Sequence, residues 1–204
     1  NKIIDLFNAT KYEEAIEQAK RQMSFCDGNK KLTRKYFEAW HLLTCCFYSR
    51  GQYNTALRES RLMHEAAIRK SDIFGQAMSY YNIGTVYYAM RHFSQSVDAF
   101  QQSVALLQQE DSSVSVLLEV YPYYGDALEA KRDFKQLETV SHDWWERIQQ
   151  MNHVKQKLDL PSTLANYYVG RTQALMGLGR IEEARKMLEE VEKNVTDSLA
   201  FERL

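Results

Sequence analysis

Apolar positions recur along this chain with the period of an α-helix. Across residues 77–90, Tyr80, Ile83, Gly84 and Tyr87 fall at i, i+3, i+4 and i+7, and Phe93, Val97, Phe100 and Val104 form a second stripe of the same kind. The two stripes predict a pair of antiparallel helices burying each other, joined across Arg91-His92. The small residue Gly84 lets the two backbones approach closely. Such a pair cannot bury both of its faces alone, so further pairs must stack on it.

The same phrase returns about every forty residues. Trp40, Leu43, Thr44 and Phe47 repeat as Tyr80, Ile83, Gly84 and Tyr87, and again as Tyr121, Tyr124, Gly125 and Leu128. Each block is followed at a constant distance by an aromatic and a small slot: Tyr53 and Ala56, Phe93 and Ser96, Phe134 and Leu137. Degraded copies stand at Tyr12 to Ala15 and at Gly179 to Ala184. The pattern predicts a single array over residues 1–204 with units near 1–30 (partial), 37–70, 77–110, 118–151 and 163–197. The first unit lacks most of its opening helix, and the chain opens on Asn1 already in helical register, which predicts a piece of a longer protein. Pro161 suits the first turn of a helix and Pro122 should start or kink one after Tyr121, so the fourth unit should be the least regular.

These residues resemble the tetratricopeptide repeat (TPR), with its aromatic, Leu-Gly and Tyr positions in the first helix and Tyr-x-x-Ala in the second. The resemblance covers nearly the whole chain. It implies an all-α, right-handed superhelical solenoid of about five helix-turn-helix repeats, a module for binding proteins or peptides. The spacing exceeds the usual 34, the closing Pro is absent, and Leu137 and Ser141 stand where Ala and an aromatic are usual. The longer spacing is similar to that of bacterial regulators and sensors, which implies the ligand-receiving or scaffold part of a larger signalling protein.

Composition narrows the function. Lys and Arg number 26 against 27 Asp and Glu, so no net field favours nucleic acid. No apolar run reaches the eighteen residues of a membrane helix. Cys26, Cys45 and Cys46 make a poor disulfide framework and fit a reducing compartment, so a cytoplasmic location is expected, with the periplasm as alternative if a signal or membrane segment once preceded the chain. His41 with Cys45 and His142 with Glu146 share helix faces at i, i+4, but neither pair gains a third ligand, so no metal and no cofactor are expected. Cys45 beside His41 lacks an orienting carboxylate and an oxyanion site, so no catalytic residue is assigned. At least one of Trp144 and Trp145 should be core, and the Lys30-Lys31 and Arg34-Lys35 cluster a solvated face.

If the aromatic and small slots pack inward, the next residues of each first helix face an inner groove. They are His41, Cys45 and Tyr48; Tyr81, Thr85 and Tyr88, flanked by Asn82; Pro122, Asp126 and Glu129; Val169, Gln173 and Met176. From these the partner-binding set Tyr48, Tyr81, Asn82, Tyr88, Asp126 and Glu129 is expected to take a peptide with an apolar middle and a positive end, Asn82 pairing with its main chain. The Lys, Asn and Arg clamp of family members that hold chaperone tails is matched at Asn82 alone. The competing expectation is a structural homodimer whose groove stays empty.

Overall fold

A computed structural model describes the backbone of residues 1–109, 114–154 and 160–201, and side chains over 1–109, 115–150 and 162–191. The described residues form ten α-helices: α1 Lys2–Asn8, α2 Tyr12–Cys26, α3 Thr33–Ser49, α4 Tyr53–Lys70, α5 Ile73–Ala89, α6 Phe93–Leu107, α7 Val114–Lys131, α8 Phe134–Val154, α9 Leu160–Gly177 and α10 Ile181–Phe201. A single 3-10 turn, Lys30–Leu32, precedes α3, and no strand occurs among the described residues. Two compact units divide the chain, Asn1–Gln109 and Glu110–Leu204.

In the first unit each helix packs on the next from α1 through α6, and the first helices α3 and α5 also touch directly. In the second, α7 packs on α8, α8 on α9 and α9 on α10, with a direct contact between α7 and α9. Hairpins stacked so that consecutive first helices adjoin are the all-α repeat architecture the periodicity predicts.

One turn is used six times among the described residues. Thr10, Gly51, Ser71, Arg91, Arg132 and Gly179 all have left-handed φ, between 51° and 76°. In each case the next residue's amide reaches the carbonyl five positions back, as in Gln52 to Phe47, His92 to Tyr87 and Asp133 to Leu128, all at 2.9 Å. This is the Schellman closure of a helix C-terminus, which lets the chain reverse within three residues. The residue that precedes the turn packs on the one that follows it: Phe7 on Tyr12, Tyr48 on Tyr53 and Tyr88 on Phe93, with centroids 5.5 to 5.7 Å apart.

The small slots meet across the α5–α6 and α7–α8 hairpins. A Cβ on Gly84 would lie 2.9 Å from the Phe100 ring, and the Ser96 hydroxyl donates to the Gly84 carbonyl at 2.8 Å. Gly125 faces Leu137, whose Cδ1 would stand 3.5 Å from a Cβ there. Of the facing stripe, Val97, Phe100 and Val104 are buried as predicted, while Phe93 at its start is half-buried. The α5 stripe needs correction: Tyr80, Ile83 and Tyr87 are only half-buried, while Phe74, Met78, Asn82 and Val86 are core. Helix α5 packs against α3, α4 and α6 at once, so several of its faces are covered, and the predicted stripe turns toward α4. There Tyr80 lies 4.5 Å from the His64 ring and Tyr87 accepts a 3.0 Å bond from Arg61.

In the second unit Pro122 lies inside α7, eight residues after its start, rather than beginning a helix. Pro161 is the second residue of α9. Trp144 is core, stacked on Tyr121 at 5.7 Å and edge-on to Tyr167, while Trp145 stacks on Tyr167 at 4.9 Å. Glu138 of α8 pairs with Arg171 of α9 at 3.2 Å and with Arg180 in the turn before α10.

Candidate functional site: the first-helix faces

The inner-face residues named from sequence lie where first helices adjoin. In the first unit His41 of α3 reaches α5: its Nδ1–H donates to the Asn82 carboxamide oxygen at 2.6 Å, and its ring lies 5.6 Å from Tyr81. Tyr81 also packs on Phe100 at 6.0 Å, and Thr85 returns a hydroxyl bond to the Tyr81 carbonyl. Tyr48 and Tyr81 are half-buried, and Tyr88 is 37% exposed.

Asn82 does not have the expected role. It is only 3% exposed, its oxygen held by His41 and its amide directed to the Met63 sulfur at 3.8 Å. A buried carboxamide with both ends engaged cannot pair with an incoming main chain unless those bonds break. It serves instead as the strut between α3 and α5, a role the sequence hid because the 41-residue separation from His41 is visible only once the repeats are stacked.

With the thiol of Cys45 nearby, His41 and Asn82 suggest a nucleophile, base and orienting amide. The geometry argues against it. The sulfur stands 3.6 Å from His41 Nε2 and 3.9 Å from Nδ1, so it sits over the ring face and not along a nitrogen lone pair. Burial pushes the thiols of Cys45 and Cys46 up to about 12, opposite to the depression that an attacking cysteine requires. Among the described residues no group of three or more His, Cys, Asp or Glu could hold a metal ion.

In the second unit Asp126 and Glu129 lie on α7. Asp126 is exposed at one edge, yet neighbouring atoms desolvate its carboxyl enough to raise its pKa above the usual carboxylate value. Glu129 accepts a 2.9 Å bond from the Gln173 amide of α9, the same relation between first helices that His41 and Asn82 make in the first unit. Val169 and Met176 of α9 stand exposed, as do Ile181 and Leu188 of α10.

Sequence reasoning missed a second feature of the first unit. Lys30, from the basic cluster assigned to a solvated face, lines a concavity of about 590 Å³ at the turns after α2 and α4. Only the density of Lys and Arg around Lys30 and Arg69 signalled it.

Stacked helical hairpins of this repeat length, closed by one turn type, form a TPR-like helical repeat fold. Two solved structures share the fold: the nearly identical TPR-like repeats of a Podosopora anserina protein assigned as a kinesin light chain, and a single-residue variant of it. Each is 15% identical with a TM-score of 0.64, covering 97% of this chain and 92% of that one. No protein-family model matches the sequence, nor does any curated protein sequence. Among the described residues no helix is long and apolar enough to cross a membrane.

Proposed function

We propose that the chain is a protein-interaction module and that the first-helix face of its first unit receives an extended peptide or protein segment. The observation that carries this reading is the aromatic row on adjoining helices: Tyr48 of α3, and Tyr81 and Tyr88 of α5, each held by ring contacts within its own unit and only partly buried. Partly buried tyrosines give flat, pre-ordered anchors at small entropic cost. On the second unit, Asp126 and Glu129 set two carboxylates on the α7 face, so a segment bound there carries a basic residue. The ligand-receiving role within a larger bacterial regulator belongs to the same reading and rests on repeat spacing.

The test is a peptide-display screen followed by calorimetry on the selected peptides. Tyr88→Ser and Tyr48→Ser should each weaken binding by about 1–2 kcal/mol, as truncation of an aromatic anchor does. Tyr81 calls for Tyr81→Phe, because removing a ring that touches Phe100 and His41 would disturb the core as well. Unchanged affinity in the Tyr48→Ser, Tyr88→Ser double variant, with helicity intact, would reject the face. The exposed Val169, Met176, Ile181 and Leu188 favour a second reading, assembly of copies through the last hairpin. Ultracentrifugation decides it: a dimer dissociated by Met176→Asp and Leu188→Asp supports assembly, and a monomer at all concentrations removes it.

A further inference from the structure

We propose that the concavity at the turns after α2 and α4, lined by Asn29, Lys30, Thr33, Tyr36, Arg69 and Lys70, binds a phosphomonoester dianion. It shares no residue with the aromatic face and does not depend on it.

The argument is one of charges left over. Two acids border the site, and both already accept hydrogen bonds. The Asp72 carboxylate caps α5, accepting from the Gly75 amide at 2.6 Å. Asp27 accepts from the Gly28 amide at 3.1 Å and from Lys70 at 2.9 Å, and that ammonium holds its carboxyl below the ordinary value. Lys70 is thus the committed cation, resting also over the Tyr36 ring at 5.2 Å. The other two are not comparably held. Arg69 has the Glu65 carboxylate 3.9 Å away on its own helix, and no ion pair of Lys30 occurs among the described residues. The site therefore keeps two cations on different walls, one from the turn after α2 and one from the end of α4.

Backbone polarity adds to this. Helix α3 starts at Thr33 without a side-chain cap and without an acid in its first turn, which leaves its positive dipole end toward the concavity. Gly28, at φ +77°, has no atom within 4 Å of where a Cβ would stand, which leaves the approach open. Lys30 and the loosely paired Arg69 match two negative charges, and a guanidinium fork takes two oxygens of one phosphoryl group together. A volume of about 590 Å³ exceeds what a bare ion fills, leaving room for the group that the phosphate esterifies.

The experiment titrates the full chain at constant ionic strength with three probes, followed through its amide NMR signals. They are an alanine-based peptide carrying one phosphoserine, the same peptide unphosphorylated, and inorganic phosphate. Saturable shifts confined to residues 28–33 and 69–72 are expected with a phosphorylated probe and not with the unphosphorylated peptide. The Lys30→Ala, Arg69→Ala double variant should lose about tenfold or more in affinity, the effect of removing charge-assisted bonds, with an unchanged melting curve. Saturation by phosphate with the phosphopeptide excluded makes the natural ligand a free phosphate ester, whereas saturation by both makes it a phosphorylated chain. No saturable shift with either phosphate form, an equal response to the unphosphorylated peptide, or undiminished affinity of the double variant overturns the proposal.

Discussion

Gly84 and Gly125 occupy the same repeat position and look interchangeable in the sequence, yet they stand before different neighbours. A methyl group on Gly84 meets the fully buried Phe100 ring at 2.9 Å, and a ring enclosed on every side cannot turn aside cheaply. A methyl group on Gly125 meets the end of Leu137 at an ordinary 3.5 Å. Gly84→Ala is therefore expected to lose about 1–2 kcal/mol, overpacking outweighing the gain in helix propensity. Gly125→Ala should gain about 0.5–1 kcal/mol, since propensity acts there without a clash. Denaturant unfolding of the two variants checks the contrast, and equal effects would mean that the pairing across the hairpins has been misassigned. Repeat spacing made the slots legible, but what each slot faces depends on Ser96 or Leu137 opposite. Asn82 shows the same limit: its place beside the inner face could be read from spacing, whereas its capture by His41 from the previous repeat could not.

Helices were legible because their stripes obey one period. The exact use of each stripe was not, because a helix packed on several neighbours, such as α5, buries residues all round and blurs its own amphipathicity. The turns between helices carry a cost written in their backbone. Arg91 and Arg132 adopt left-handed φ of 62°, a conformation that costs a side-chain-bearing residue about 1–2 kcal/mol, where Gly51 and Gly179 adopt it freely. Both carbonyl-closing bonds of the turn are main-chain bonds, so a glycine keeps them. Arg91→Gly and Arg132→Gly are expected to stabilise the chain by about 0.5–1 kcal/mol after the added freedom of the unfolded glycine is subtracted. Gly51→Ala should destabilise it by about 1 kcal/mol. Thermal melts read both, and a loss of stability in Arg91→Gly would show that the Arg91 guanidinium, 5.9 Å over the Phe93 ring, contributes more than its backbone costs.

At the scale of the molecule, the two proposed sites of the first unit draw every residue from within Asn1–Gln109. That unit has a core of its own, running from Ile3 and Ala15 through Phe37, Trp40 and Met63 to Phe100 and Leu107. Repeat arrays are held by nearest-neighbour contacts, so a run of hairpins that buries its own stripes can fold without the rest of the chain. At this length the buried fraction is also large enough for independent stability. A fragment of residues 1–109 should therefore stay helical and melt as one cooperative transition, keeping the Tyr88-dependent peptide binding and the Lys30-dependent phosphate binding of the full chain. Circular dichroism melts and the two titrations measure it. A folded fragment that binds neither probe, where the full chain binds both, would show that the sites need residues beyond 109. A fragment that fails to fold would instead place the unit's stability outside its own hairpins, against the nearest-neighbour account of this array.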